Sequence, residues 1–340
     1  MPAITPSFMW DLESNMRTIT SREYDRLLSN LWWRRIAKEM PSSAKRERVS
    51  WLLDTARIQR TGKGGNIEFE DIVAVTHEAE NLNAAAGLEI KKEQFEDIDG
   101  NGIDYSSQWS REMGAYAAYW PQKMVAQAIL ANPVTYDAKT FFANNHPVNP
   151  FNTGAGTYTN VFTAGSGPGP LPIDGSVTTD VAVANVAKAI AYTASLRMPN
   201  GEDPRMLRVA YLFVPPALTA RAQQITNAKF IAQAATGGAG SGDVDAVIRN
   251  FGLGQPIEIP EVGAGFTNGS DTTWYIGMED ILTNELGAFN YINRESFSVL
   301  FYGPQTDAQL ARIRRYQWTT EGRNVIMPGH PYLLFKCMAT

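Results

Sequence analysis

The chain has 340 residues, 44% of them apolar and 11% aromatic, so a large core can form in one large domain or two ordinary ones. Charged residues are only 19%, the net charge is -5 and the pI about 5.4, a balance that argues against tight nucleic-acid binding, which needs clustered Lys and Arg. The single cysteine, Cys337, excludes an internal disulfide and a cysteine-based zinc site; no apolar run is long enough for a membrane span, and MPAITPSFMW lacks the basic-then-apolar pattern of a secretory leader, so a reducing, cytosolic setting with no membrane partner is expected.

Residues 8–40 carry helical periodicity in two runs, Phe8, Leu12, Met16, Ile19 and then Leu27, Leu28, Leu31, Ile36. Thr20 or Ser21 is placed to cap a second helix, and Pro41 to end it. Trp10, Trp32 and Trp33, the last two beside Arg34 and Arg35, make this arm too apolar to stay in solvent, and Trp–Arg neighbours of this kind favour interfaces.

Val49–Arg60, which contains Trp51, and Ile67–Thr76 read as the strands of a hairpin around Thr61-Gly62-Lys63-Gly64-Gly65-Asn66. Two strands alone are marginally stable, so the hairpin needs support from elsewhere. Leu88–Ile90 extends the return path, and Lys91–Asp97 suggests a helical turn. Residues 1–60 hold eleven basic against seven acidic side chains, and residues 61–110 three against eleven. Segments of opposite sign are expected to pair within one chain or between neighbours.

Asp104–Ala131 is the clearest helix, about 40 Å long at 1.5 Å per residue. Trp109, Met113, Tyr116, Trp120 and Met124 form one continuous face, Pro121 is expected to kink or break it, and Asn132-Pro133 to end it. Residues 133–180 are rich in Gly, Pro, Ser and Thr and read as loops. Beyond them come a helix at Val181–Leu196, a strand at Arg208–Val214, a helix at Ala217–Ala235 and a flexible loop at Gly237–Gly242. Strands follow at Gln255–Val262, Thr273–Gly277 and Phe297–Tyr302, and in Ala311–Cys337 with turns at Glu321-Gly322-Arg323 and Pro328–Pro331.

Chemistry-bearing motifs are sparse. His77, His146 and His330 have no metal-ligand spacing, and the latter two precede prolines, as turn residues do. There is no G-x-S-x-G elbow and no Walker loop, Cys337 reads as a buried small hydrophobe, and no catalytic residue or cofactor site is assigned. Asp97, Asp99 and Asn101, followed by Gly102, match the first half of a calcium loop, but the twelfth position is Gln108 instead of Glu, so a turn capping the long helix is preferred. Arg34-Arg35, Lys45–Arg48 and Arg312–Arg315 are short basic patches that suit solvated or interface faces.

The order of these segments, together with LEIKKEQFEDIDGNGIDYSSQW (88–109), DAKTFFANNHPVN (137–149) and YLFVPPALTARAQQITNAK (211–229), resembles the major capsid proteins of tailed bacteriophages with the HK97-type fold, in the branch of the Mu-like major head subunits. The resemblance implies an α+β fold with an N-terminal arm (1–42), an extended loop (43–90), a peripheral domain (91–180 and 303–340) with spine helix 104–131, and an axial domain (181–302). It implies a non-enzymatic protein that assembles with itself as pentamers and hexamers into an icosahedral or prolate shell around double-stranded DNA. Scaffolding and portal proteins are implied partners, a decoration protein is an optional one, and contact with DNA should be weak and non-specific. Trp10, Trp32, Trp33, Trp51, Lys63, Arg34 and Arg35 are the candidate intersubunit contacts. Some members of the fold carry a Lys–Asn crosslink, for which Lys63 and Asn324 are conceivable partners without a matching motif. The rival readings are an encapsulin-like nanocompartment shell, told apart by protein cargo, and a phage tail or baseplate protein, told apart by tubes or rings.

Overall fold

The structure is a computed structural model that describes residues 6–54, 73–93, 101–227, 230–232, 243–245, 253–281, 287–302, 312 and 314–340. The first element is one helix, α1 (Pro6–Leu28), with no break at the expected second cap. Thr20 is buried, and its hydroxyl donates to the Ser110 carbonyl oxygen at 3.1 Å. A residue that looked like a helix start therefore serves a helix–helix contact. The expected second helix up to Pro41 is also absent: a 3-10 turn at Trp33–Arg35 leads into strand β1 (Ala37–Pro41). Trp32, Trp33 and Ile36 are apolar at helical spacing because all three enter the core from a tight turn. β1 is an edge strand, where the missing N–H of Pro41 is tolerated.

β2 (Arg46–Asp54) and β3 (Val73–Glu80) pair antiparallel, Arg46 opposite Glu80 and Trp51 opposite Val75. The hairpin is present, with both described strands beginning and ending a few residues from the expected bounds; the turn at 61–66 lies outside the described residues. Its base is held where Val49 joins Ile292 and Met327 in a small apolar cluster. Lys45 and Arg46 pair with Glu80, and Arg48 with Glu78. At these positions the opposite charges of neighbouring segments meet within the hairpin.

β4 (Leu82–Lys91) follows, then the spine, α2 (Asn101–Ala131), which is 31 residues long. Pro121 lies inside α2 without ending it. Asn132 takes a left-handed φ of 50°, and the helix stops there before Pro133. The loop-rich stretch holds the two-residue strands β5 (His146–Pro147), β6 (Thr157–Tyr158) and β7 (Val161–Phe162) and a 3-10 turn at Thr153–Ala155. Next come α3 (Thr179–Ala194), β8 (Leu207–Val214) and α4 (Pro216–Asn227). The helix expected to reach Ala235 ends at Asn227, and Phe230–Ala232 is strand β9, paired with β10 (Asp243–Asp245). The expected strand at 255–262 shrinks to β11 (Ile257–Glu258) and a 3-10 turn. β12 (Trp274–Asp280), β13 (Phe289–Phe301), β14 (Arg315–Pro328) and β15 (Leu334–Cys337) complete the chain.

Two sheets result. One has the order β1-β13-β14-β4, the other β11-β8-β12-β15-β7. β14 runs straight through Glu321-Gly322-Arg323, so the turn expected there is absent. Gly322 is needed because β13 bulges opposite it: an added Cβ would meet the Phe297 ring at 3.0 Å and the Glu295 carbonyl oxygen at 3.1 Å. β14 ends at Pro328, and a 3-10 turn at Pro331–Leu333 leads into β15, which joins the other sheet.

The main core joins Trp33, the C-terminal half of α2, Phe141, Phe213, Trp274, Phe289 and Phe335. A second cluster sets Leu12 and Met16 of α1 on Tyr316, Trp318 and Val299 of the first sheet. α1 and α2 approach at backbone distance along Ser106, Ser110 and Gly114, a small-residue stripe at i, i+4, i+8 with both serines fully buried. A Cβ on Gly114 would lie 2.4 Å from the Thr20 carbonyl oxygen. Helix propensity alone favours Gly→Ala by about 1 kcal/mol. Here we expect the reverse sign: Gly114→Ala should lower the stability of the unassembled subunit by about 1–3 kcal/mol through overpacking. Urea unfolding of the isolated subunit measures it, and a stabilised variant would contradict the close approach.

Candidate functional site

Asp137 accepts hydrogen bonds from the Thr135 hydroxyl, the Lys139 backbone N–H at 3.1 Å and His146 Nδ1 at 2.6 Å. Burial pushes its carboxyl up, but the hydrogen bonds from His146 and Thr135 outweigh this and hold it below the usual carboxylate range. His146 Nε2 faces the Phe141 carbonyl oxygen at 3.1 Å. The dyad is wholly buried with both ring nitrogens engaged, so no imidazole edge is open to a substrate. Asn160 closes the same knot, donating from Nδ2 to the Phe141 carbonyl at 2.6 Å and accepting from the Ala143 N–H at 2.9 Å. The segment DAKTFFANNHPVN is thus a self-satisfied loop whose two phenylalanines enter the core. Cys337 is buried in that core, and burial raises its thiol pKa well above the ordinary value, so it is not poised as a thiolate.

His330 is buried between Tyr136 and Tyr332. Burial, with Arg205 nearby, pulls its pKa down to about 3. Among the described residues no group of His, Cys, Asp and Glu could hold a metal ion. Asp97 and Asp99 lie outside the described residues, and Asn101 is the first residue of α2.

The candidate intersubunit residues separate in space. Trp33 is 1% exposed and Trp32 7%, both inside this chain's own core. Their burial removes them as anchors for a neighbour, which corrects that expectation. Trp10, at the start of α1, is 69% exposed. Trp51 sits in β2, and Lys63 lies outside the described residues. Arg34 and Arg35 are exposed on a small cleft that also includes Lys38, Tyr211 and Glu279. Arg34 pairs with Glu39 at 2.9 Å and covers the Trp33 ring. Arg35 lies over Tyr211, whose hydroxyl donates to Glu279 at 2.9 Å. Arg208 pairs with Glu279 and holds its carboxyl below the usual range. The basic groups here are largely answered by carboxylates, so the patch is not an open phosphate-binding surface.

Sequence patterning missed one surface. Of the continuous face of α2, Trp109 packs toward the α1 cluster, but Met113, Tyr116, Trp120 and Met124 line an open groove, with Tyr116 61% exposed. The face α2 buries against α1 is the one built of serines and glycine. The groove's other wall is β4 and β14, so no local signal in the sequence marks it. Asn324, the conceivable crosslink partner of Lys63, is buried and accepts the Trp120 indole N–H on Oδ1 at 2.8 Å.

The architecture matches that of phage capsid subunits. A capsid protein of the cyanophage P-SCSP1u superposes with a TM-score of 0.55 at 15% identity, over 91% of this chain and 88% of that one. A subunit of the bacteriophage JBD30 procapsid gives 0.50 at 15% identity over 98% and 76%, and one from an empty GTA particle capsid 0.51 at 10% over 90% and 88%. Among curated proteins none matches in sequence. The chain therefore has the HK97-like fold of those subunits. Residues 12–174, running through α1, the hairpin, β4 and α2, match the model of the family "Mu-like prophage major head subunit gpT".

The buried histidine sets a pH response. A His with a lowered folded pKa binds fewer protons folded than unfolded between about 3 and its ordinary 6.5, so stability rises with pH across that window and is lost as pH falls through it. Asp137 adds a loss only below the ordinary carboxylate pKa of 3.8. The unfolding free energy of the unassembled subunit should therefore fall from about pH 6.5 to pH 4, by up to about 1.4 kcal/mol per pH unit from His330, and its melting temperature with it. His330→Leu should be less stable at pH 7 but flatter over the same range. An equally steep variant would assign the acid sensitivity to other groups.

Proposed function

We propose that this chain assembles as pentamers and hexamers into an icosahedral or prolate head that encloses double-stranded DNA, built in the host cytoplasm with a scaffolding protein and a portal. The observation that carries this reading is the family match running through arm, hairpin and spine. The layout proposed is an arm at 1–42, an extended loop at 43–90, a peripheral domain at 91–180 and 303–340, and an axial domain at 181–302. β15, from the tail, shares a sheet with β8 and β12, so the peripheral and axial segments meet within one sheet. DNA contact is weak and sequence-independent: the chain carries a net charge of -5, and like charge lets packed DNA slide. The hairpin acts as an intersubunit clasp. Above its base β2 and β3 pair only with each other among the described residues, and such a ribbon needs a second surface. Trp10, Arg34 and Arg35 are the exposed members of the interface set, and Trp51 and Lys63 belong to the clasp.

Co-expression with a scaffolding protein, followed by negative-stain microscopy, tests the reading. Closed particles or capsomers are expected; a stable monomer at high concentration would overturn it, and particles loaded with protein cargo would place it among nanocompartments. Deleting Gly62–Gly65 with flanking strand residues should leave the subunit folded by circular dichroism and cut particle yield at least about tenfold, the equivalent of ~1.4 kcal/mol in association. Deletion particles as stable as the parent's would refute the clasp.

A further inference from the structure

The buried half of the loop after the spine satisfies itself, but its outer half does not. The Thr135 N–H donates to the Lys139 carbonyl oxygen at 2.7 Å, and the Phe141 N–H to that of Pro133 at 2.8 Å. Between these bonds Ala138 holds a left-handed φ of 60°, which residues other than glycine rarely adopt. The turn is thus fixed on both sides, and Lys139 is presented from a set position. Asp137, two residues away, is already engaged by Thr135, His146 and the Lys139 backbone N–H.

Lys139 shares a cleft of about 390 Å³ with Phe142, Asn144, Asn145 and Thr163, and no Asp or Glu lines it. A second lysine reaches this place from the tail. Lys336 of β15 lies in register with Val161, which also lines the cleft, and its ammonium stands over the Phe142 ring, 5.8 Å from the ring centre. Lys336 is half-buried, and burial lowers its pKa with no carboxylate to offset the lost hydration. Elsewhere Arg34, Arg208 and Arg315 are answered by Glu39, Glu279 and Glu89, whereas among the described residues neither Lys139 nor Lys336 has an ion pair. The exposed amides of Asn144 and Asn145 and the Thr163 hydroxyl also make no side-chain hydrogen bond among the described residues.

We propose that this cleft binds a phosphate group, either free or in the backbone of a nucleic acid. The two ammonium groups supply the countercharge, each as a point charge. The two amides and the hydroxyl supply neutral donors for the remaining oxygens. A planar carboxylate is best matched by the fork of an arginine, and the cleft has none; donors spread around a cleft suit a tetrahedral anion. One phosphate held per subunit, with no base edge read, is contact without sequence preference. The nucleic-acid form of the proposal rests on the shell reading; the binding of free phosphate does not.

An NMR titration of the isotope-labelled, unassembled chain at neutral pH tests the site, with sodium phosphate set against sodium chloride at equal ionic strength. The side-chain amide signals of Asn144 and Asn145 should shift saturably with phosphate and stay in place with chloride. Lys139→Ala and Lys336→Met, each checked for the parental circular dichroism spectrum, should weaken the apparent affinity at least about tenfold. Lys139→Ala alone suffices if Lys336→Met does not fold. No saturable shift, or parental affinity in a folded variant, would overturn the proposal. Two short DNA duplexes of unrelated sequence give the second arm. Equal shifts of the same two amides by both duplexes, reversed by added phosphate, assign the site to a nucleic-acid backbone; amides that respond to phosphate alone assign it to free phosphate. Neither arm needs particles, so failure of the shell reading and failure of the site are told apart.

Discussion

The backbone-distance contact of α1 and α2 organises the molecule. Ser106, Ser110 and Gly114 offer α1 a surface with almost no side chain, so the helices meet where the Thr20 carbonyl oxygen leaves no space for a Cβ. Leu12 and Met16 are then carried onto Trp318 and Tyr316, and the first sheet is capped at one end. The bulky face of α2 is turned the other way, along the sheet's small residues. A larger residue at Gly114 would move α1 and with it the sheet's cover.

Polar side chains carry the same coupling toward the other sheet. Gln122, the residue after Pro121, donates to Glu261 Oε1 at 2.8 Å and accepts the Trp32 backbone N–H at 3.2 Å. The N-terminal segment, the spine and the loop after β11 thus share one buried amide. Trp32, Trp33 and Ile36 complete the junction by entering the main core, and β1 continues directly into parallel pairing with β13. The arm is built into the body at its C-terminal end, and Trp10, at the other end, is the aromatic left facing outward.

The 137–149 segment shows how a stretch without catalytic chemistry can still be tightly specified. Asp137, His146 and Asn160 satisfy one another and the backbone carbonyl of Phe141 inside a loop with little regular structure. A buried loop must pair every polar group it hides, and that requirement specifies residue types as tightly as an active site does. His–Asp geometry alone does not imply catalysis; engaged ring nitrogens and full burial mark this dyad as part of the scaffold.

Local sequence determined the elements whose signals are local. The spine was legible from its periodicity and its Asn132-Pro133 stop, the hairpin from its glycine-rich centre, and the fold from the ordered stretches that resemble Mu-like head proteins. The absence of an elbow, a Walker loop and metal spacing left no catalytic residue to assign. Tertiary structure decided what depends on partners distant in the chain. Periodicity cannot tell that 31–41 turns into the core and becomes a strand, because Ala37 finds its partner at Phe289. Gly322 reads as a turn locally, yet it serves a bulge in β13 and the ring of Phe297. The face of α2 that is richest in apolar residues is the one left open, because burial within a chain follows from what packs opposite. Two serines and a glycine allow a closer helix–helix approach than a tryptophan, a tyrosine and two methionines do.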